Sequence, residues 1–200
     1  MSDVAESSII QESGTKIEAA ATNLNQIAES MKQIETTLTQ QRTNRTTQQA
    51  AKAVKDTVAD LRETYPTASI SVSKNVELWI PVSNAFHYAL SHAIENAIVH
   101  AESPEPTVDI TINTSPNTGR VEIRIDDEGP PIPDAELDAL DEQAKTTPTH
   151  HGSGCGLFVM KWCIETLGGE LRIEPADCCG NSVFFYLPLQ TPANTDTDTS

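Results

Sequence analysis

Basic residues, aromatic residues and long apolar runs are all scarce in this sequence. Its 200 residues include 13 lysines and arginines against 29 aspartates and glutamates, which gives a formal net charge of −16. A surface of that sign repels polyanions, so the composition argues against a nucleic-acid or anionic-membrane partner. It resembles the acid-rich surfaces of halophilic proteins, whose self-repulsion is screened in a salt-filled cytoplasm.

No segment reaches the length of a membrane span, and the N-terminus lacks the basic and apolar regions of a signal peptide. We therefore expect a soluble, cytoplasmic protein. Four cysteines are present, and their spacing matches neither a metal site nor a disulfide framework.

The first 45 residues have the periodicity of one long helix. Apolar residues recur every seven positions in two interleaved series over residues 4–40, which is the a/d pattern of a coiled coil. A stripe this narrow usually packs against another helix, so we predict a homodimer formed through residues 4–40. Docking of this helix onto the chain's own globular part is the alternative. The first series is Ile10, Ile17, Leu24, Met31 and Leu38, and the second is Ala20, Ile27 and Ile34.

Residues 50–189 alternate between helical and strand patterns and predict an α+β fold. We expect a two-layer α/β sandwich with a mixed, largely antiparallel sheet and helices on one of its faces. Residues 42–49 are interpreted as a linker, residues 128–151 as a long functional loop and residues 190–200 as a disordered tail. The predicted helices span 50–63, 81–101 and 157–167, and the predicted strands span 69–73, 76–80, 107–113, 120–126, 170–174 and 182–187.

A run of alternating glycines precedes the last predicted helix. Gly152, Gly154 and Gly156 lead directly into Leu157 and an apolar segment. Glycine allows a ligand to approach the backbone closely, and a helix that begins here presents unpaired N–H groups and the positive end of its dipole. Phosphate binding is the functional interpretation, and a flexible loop before a core helix is the structural one.

Two further motifs lie upstream of the glycines. Glu95 and Asn96 fall on a predicted helix, and Asp127 and Gly129 directly follow a predicted strand. With the glycine run, they resemble the ATP-binding domain of the GHKL superfamily, which includes sensor histidine kinases, type II topoisomerases, mismatch-repair ATPases and ninety-kilodalton heat-shock chaperones. The resemblance covers roughly residues 50–189 and is closest to histidine kinases, in particular to acid-rich archaeal ones.

That resemblance implies roles for individual residues. The side chain of Asn96 would coordinate a Mg²⁺ ion bridging the ATP phosphates, a use that suits an oxygen ligand. Asp127 would accept a hydrogen bond from the adenine amino group, placed by the turn at Gly129, and His100 would lie beside the adenine. In the absence of a ligand role, Asn96 would be a buried structural amide and Asp127 the start of a turn. The phosphates would lie along Gly152, Gly154, Gly156 and Leu157, under an ATP lid formed by residues 132–150.

The sequence departs from the family pattern at three positions of this region. His92 stands where the family usually has an asparagine, one helical turn before Asn96. Hydrolysing relatives have a glutamate base at that position, so His92 is one candidate catalytic residue, and Glu95, beside the metal site, is the other. Pro131 replaces a glycine of the turn and removes an N–H, and Val99 replaces a residue that is commonly basic.

The largest departure is the absence of a phosphoacceptor. A histidine kinase phosphorylates a histidine on a helical hairpin next to its ATP domain, and residues 1–86 contain no histidine. Residues 1–45 resemble only the second helix of such a hairpin. We therefore expect transfer of the γ-phosphoryl group of Mg-ATP in trans, to a response regulator or a histidine-phosphoacceptor protein. Three alternatives remain: a catalytically degenerate nucleotide-binding or dimerising module, an anti-sigma-type serine kinase, and a truncated remnant of a longer kinase. The sequence therefore leaves enzymatic activity open.

Overall fold

The computed structural model describes residues 45–141, 154–176 and 180–192. The predicted long helix therefore lies outside the described residues, as do Cys178, Cys179 and residues 193–200. The elements in chain order are β1 Thr46–Gln49, α1 Ala50–Thr64, β2 Ser69–Lys74, β3 Trp79–Val82, α2 Asn84–Val99, β4 Thr107–Thr114, β5 Val121–Asp127, α3 Asp134–Asp141, α4 Gly154–Thr166, β6 Glu170–Pro175 and β7 Asn181–Leu187.

A five-stranded sheet forms one layer, in the order β2-β4-β5-β7-β6. Strands β2 and β4 run parallel and the other neighbouring pairs run antiparallel, so the sheet is mixed and largely antiparallel, as predicted. The register pairs Ile110 with Ile125 and Ile123 with Phe185. Helices α1, α2 and α4 form the second layer, which confirms the predicted two-layer sandwich.

The core lies between the sheet and these helices. Successive strand side chains point to opposite faces, so the buried apolar residues meet the helices while Glu122 and Arg124 lie on the opposite face. The described helices are neither long nor apolar enough to cross a membrane. The largest fully buried side chains are Phe86, Phe185, Ile80, Leu90, Ile94, Ile110, Ile112, Ile123, Ile125, Met160, Ile164 and Leu187.

Residues 46–49 form strand β1, so the prediction of a linker over 42–49 is wrong for them. Strand β1 pairs antiparallel with β3, with Thr47 opposite Pro81, and Ala50 donates its N–H to the Leu78 carbonyl at 2.8 Å. The four residues of β1 are all polar and therefore show no amphipathic period. They form a strand because they pair with β3, which is distant in the sequence.

Helix α2 begins at Asn84, so the prediction that Pro81 starts it is wrong. Pro81 lies in β3, whose two-stranded sheet tolerates a residue without an N–H. The helix begins where Ser83 caps it, because the Ser83 side chain accepts a hydrogen bond from the Ala85 N–H at 3.2 Å. The strand predicted over 76–80 is observed as β3, Trp79–Val82, which extends to the residue before the cap.

The predicted loop over 128–151 contains helix α3, which the sequence pattern did not reveal. The helix begins directly after Pro133, with Asp134 and Glu136 in its first turn, where carboxylates complement the helix dipole. Its eight residues are too few to display a helical period against so polar a background.

The start of α4 and the start of the predicted C-terminal tail also differ from the prediction. Helix α4 begins at Gly154, so Gly154 and Gly156 belong to its first turn and not to a loop before it. Gln190, expected to begin the disordered tail, instead donates its N–H to the Trp79 carbonyl at 2.8 Å.

Candidate functional site

A cleft of about 700 Å³ opens between α2, α4 and the neighbouring ends of β5 and β7. Gly152 lies outside the described residues, and Gly154 is the first residue of α4. The other residues singled out in the sequence come together there: His92, Glu95, Asn96, His100, Asp127, Gly129, Gly156 and Leu157.

The Asp127 carboxylate lies in the wall of the cleft and is held by backbone and side-chain donors. Its Oδ1 accepts hydrogen bonds from the Gly129 N–H at 2.8 Å, from the Asn181 N–H at 3.2 Å and from Asn181 Nδ2 at 3.1 Å. Its Oδ2 receives a longer contact of 3.4 Å from the same amide. The donors on Oδ1 therefore orient the carboxylate, and Oδ2 is the oxygen better placed to accept a hydrogen bond from a ligand.

Asn181 is a site residue that was missed in the sequence. Its buried side chain also donates to the Pro130 carbonyl at 3.0 Å and accepts from the Ile132 N–H at 2.9 Å. One amide thus joins the start of β7 to Asp127 and to the turn that follows it, so this turn is held without a second glycine. Gly180 was the available signal, since a glycine beside a strand often marks the close approach of another backbone.

Two glycines leave room for this arrangement. Gly180 has φ of 89°, and a Cβ there would lie 1.7 Å from the Asp127 carbonyl oxygen. A Cβ on Gly129 would lie 3.1 Å from Asp127 Oδ1. A side chain at position 180 would therefore collide with the backbone of the residue that bears the carboxylate, and one at position 129 would press on the carboxylate itself.

Helix α2 presents a polar stripe to the cleft. Tyr88, His92 and Asn96 line it and are spaced four residues apart, so they lie on neighbouring turns of one face. The Tyr88 hydroxyl shares a hydrogen bond with His92 Nε2, and the two rings pack edge to face with centroids 4.6 Å apart. The Nδ1 edge of His92 is directed towards α4, since a Cβ on Gly156 would lie 3.8 Å from that nitrogen. Tyr88 was not predicted, and it orients the His92 ring.

Burial shifts the pKa values of two groups on α2. It lowers the pKa of His92 below its ordinary value of 6.5 and raises the pKa of Glu95 above its ordinary value of 4.5. The His92 imidazole is therefore uncharged at neutral pH. His100 is exposed at the C-terminus of the helix, where its N–H donates to the Asn96 carbonyl at 3.1 Å.

The charge of the cleft is negative. None of the described residues that line it is a lysine or an arginine, whereas Glu95, Asp127 and Glu136 contribute carboxylates. In the described part of the chain, no three side chains among histidine, cysteine, aspartate and glutamate are grouped so as to hold a metal ion by themselves. A bound polyphosphate would therefore need a cation that takes further ligands from the phosphates. The amide oxygen of Asn96 is a donor of the type that Mg²⁺ accepts, so the residues fit such a shared cation.

Residues 82–191 match the family model described as histidine kinase-, DNA gyrase B- and HSP90-like ATPase. The chain is 29% identical over 102 residues to the sensor protein kinase CarS of Pseudomonas aeruginosa, which covers 50% of this chain and 22% of that protein. It is 26% identical over 132 residues to the sensor-type histidine kinase PrrB of Mycobacterium bovis, which covers 64% of this chain and 29% of PrrB. The chain thus spans less than a third of the length of these curated relatives.

Solved structures share the fold. The mycobacterial sensor histidine kinase MprB has a TM-score of 0.59 at 20% identity, covering 74% of this chain and 99% of that chain. The ATP-binding domain of PrrB from Mycobacterium tuberculosis has a TM-score of 0.58 at 21% identity, with the same coverage of 74% and 99%. At this level of identity, the likeness establishes the arrangement of helices and strands.

Proposed function

The chain belongs to the family of histidine kinase-, DNA gyrase B- and HSP90-like ATPases, and we propose that its domain transfers the γ-phosphoryl group of Mg-ATP to a partner protein. The observation that carries the proposal is the Asp127 carboxylate, oriented by Gly129 and Asn181 in the same cleft as Asn96. Asp127 offers a fixed hydrogen-bond acceptor for a nucleobase. Asn96 offers a ligand for the cation that would accompany the phosphates.

The adenine is assigned to the part of the cleft around Asp127. The exocyclic amino group would donate to Asp127 Oδ2, while the carbonyl of guanine at the same place would face an acceptor and be rejected. His100 lies at the edge of this part of the cleft. Apolar side chains for packing against the ring are supplied by Ala97, Ile132, Leu157, Met160 and Val183.

The phosphates are assigned to the first turn of α4. Gly156 and Leu157 line the cleft there, and the turn carries N–H groups that have no partner within the helix, together with the positive end of the helix dipole. Gly152 and Gly154 belong to the same glycine run. A Mg²⁺ ion held by Asn96 would neutralise phosphate charge and orient the γ-phosphoryl group. Glu95 lines the cleft beside Asn96 and is the candidate general base.

As phosphoryl acceptor we propose a response regulator or a histidine-phosphoacceptor protein, a choice supported by the similarity to sensor histidine kinases. We also propose a homodimer through residues 4–40, an ATP-binding domain over residues 50–189 and a cytoplasmic location. The charge of −16 supports a halophilic, archaeal-type kinase. Removal of residues 1–40 is expected to leave a folded monomer, which sedimentation would show. An unchanged oligomer would mean that this segment does not mediate dimerisation.

A nucleotide-binding module without turnover is the second candidate. It is favoured by His92 at the position where the family has an asparagine, and by the exposure of Val99, which supplies no cation to the cleft. An anti-sigma-type serine kinase has no specific support from the described residues.

Calorimetric titration of the full chain at high potassium chloride tests the site. Asn96→Ala is expected to lose the magnesium-dependent part of ATP binding. Asp127→Asn is expected to lose about 1.5–3 kcal/mol of ATP affinity, which corresponds to roughly 10- to 150-fold, because a charged hydrogen-bond acceptor becomes an amide. The matched control is Asp109→Asn, whose carboxylate bonds Ser71 on strand β2 and lies outside the cleft.

The outcomes separate the candidates. ATP binding that is unchanged in both cleft variants would overturn the assignment of the site. Binding in the parent without phosphoryl transfer to any histidine-phosphoacceptor or receiver protein tested would favour the module without turnover.

A further inference from the structure

We propose that His92 is a second protein ligand of the cation that accompanies the nucleotide, and that this site consequently favours Mn²⁺ relative to Mg²⁺. The inference rests on the proposed nucleotide site. It assigns His92 to metal binding instead of general-base catalysis. His92 and Asn96, with phosphate oxygens, would form a mixed nitrogen and oxygen ligand set.

The spacing of the two residues suits a shared ion. His92 and Asn96 both line the cleft and are one helical turn apart on α2. Residues four apart on a helix have Cβ atoms about 5–6 Å apart, a separation that allows both side chains to reach one ion. Pairs of ligands at this spacing on one helix are a recurrent form of metal site.

The Tyr88 hydrogen bond prepares the ring for metal binding. A histidine that binds a metal through one nitrogen usually engages its other nitrogen in a hydrogen bond, which sets the tautomer and the orientation of the ring. Here Nε2 is engaged by the Tyr88 hydroxyl, while the Nδ1 edge faces the first turn of α4, where the phosphates are assigned. If Nε2 carries the proton and donates it to the tyrosine oxygen, the lone pair of Nδ1 is directed into the cleft.

The surrounding charges also favour a cation. Carboxylates reach the cleft from three elements, with Glu95 on α2, Glu136 on α3 and Asp127 on β5. No lysine or arginine is found among the described lining residues that could neutralise the phosphates instead.

Replacing an amide by an imidazole changes which metal the site prefers. Mg²⁺ favours oxygen ligands in octahedral geometry and is reluctant to exchange them for nitrogen. Divalent transition metals accept imidazole nitrogen, with affinities that rise from Mn²⁺ towards Ni²⁺. An asparagine at position 92 would leave a site with oxygen ligands only. His92 adds a nitrogen ligand and so reduces the preference of the site for Mg²⁺ over Mn²⁺.

Pulsed electron paramagnetic resonance of Mn-ATP bound to the full chain tests the ligand directly. The protein is labelled uniformly with nitrogen-15 and the ATP is left unlabelled, so that a nitrogen of adenine gives a nitrogen-14 signal. We expect a nitrogen-15 coupling of the size typical of direct ligation. His92→Asn is expected to abolish it while Mn-ATP stays bound. The matched control is His87→Asn on the same helix, whose ring bonds Thr57 Oγ1 at 2.8 Å and lies outside the cleft.

Calorimetry gives a second measurement that does not depend on spectroscopy. The ratio of ATP affinities with Mn²⁺ and with Mg²⁺ is expected to fall in His92→Asn. Tyr88→Phe retains the imidazole and loses only its hydrogen-bond partner, and is expected to lower the Mn²⁺-dependent affinity on the order of tenfold, as for other supporting residues of metal ligands.

Each outcome decides between the proposals. Bound Mn-ATP without a nitrogen-15 coupling in the parent, or with a coupling that persists in His92→Asn, would exclude His92 as a ligand and leave the nucleotide site intact. A parent that does not bind Mn-ATP would overturn both proposals. If circular dichroism shows that His92→Asn is unfolded, Tyr88→Phe decides, and an unchanged ratio of Mn²⁺ to Mg²⁺ affinity would overturn the assignment.

Discussion

Gly180 and Asn181 determine how the Asp127 carboxylate is presented to the cleft. Asn181 supplies two of the donors to Oδ1, and Gly180 allows the start of β7 to approach the Asp127 carbonyl. The sequence motif identifies the carboxylate and Gly129 but not Asn181, because Asn181 comes from another strand.

A pair of glycine substitutions tests this close approach. Gly180→Ala would place a methyl group 1.7 Å from the Asp127 carbonyl oxygen at φ of 89°, whereas Gly119→Ala would meet nothing within 4 Å at φ of 64°. Backbone strain alone costs about 1–2 kcal/mol, and overpacking adds about 1–3 kcal/mol. Urea denaturation is therefore expected to show a loss of unfolding free energy of about 1–2 kcal/mol for Gly119→Ala and a clearly larger loss for Gly180→Ala. Equal losses would mean that β7 moves away from Asp127 without difficulty.

At the scale of elements, helix α2 carries most of the proposed site. Its cleft-facing residues include Tyr88, His92 and Asn96, while Phe86, Leu90 and Ile94 on its other side are fully buried. The helix is therefore anchored on the core along one side and presents its polar residues from a fixed position. Its start is defined by strand β3 and the Ser83 cap.

Removal of that cap is expected to destabilise the domain without altering the cleft chemistry. Ser83→Ala loses the hydrogen bond to the Ala85 N–H and is expected to lower the unfolding free energy by about 1 kcal/mol. Ser103→Ala, in an exposed turn, is the comparison and is expected to cost less, since its hydrogen bonds are local and solvated. If urea denaturation gave the same midpoint for Ser83→Ala as for the parent, the cap would not stabilise α2.

At the scale of the whole molecule, the described helices cover one face of the sheet and leave the other uncovered by any described element. That face carries Glu122, Arg124 and Arg172 among other polar residues. The helical layer instead places α2 and α4 in contact and creates the cleft at their junction with the sheet. The site thus belongs to the assembled sandwich and not to any one segment.

The free energy of unfolding is expected to fall as the pH decreases from about 7.5 to about 5.5. Burial lowers the folded-state pKa of His87 and of His92 below 6.5, so the unfolded chain takes up protons that the folded chain resists. Stability from these groups is present above 6.5 and is lost as the pH falls through their folded-state values. Glu95 contributes in the opposite direction, because its raised pKa makes stability fall as the pH rises through it. Urea midpoints across this range are expected to change less in His92→Asn than in the parent, and an equal change would contradict a buried, uncharged His92.

Local patterns predicted most of the fold. The alternation in β4 and β5 and the apolar spacing of α1 were correctly interpreted as parts of a two-layer sandwich, whereas the roles assigned to the motif residues stay predictions. These features are encoded within short segments, where a period of two or of 3.6 residues is visible without knowledge of the partner.

The sequence by itself therefore determined the fold class, the family and the position of Asp127 and Asn96 in the chain. Only the tertiary structure decided that residues 46–49 form a strand, that Pro81 lies in β3, that Asn181 holds Asp127 and that Tyr88 engages His92. The physical reason is the range of the interactions involved. Strand pairing and side-chain hydrogen bonds join residues by their distance in space, and a polar residue has no periodic signature that announces its partner before the layers are assembled.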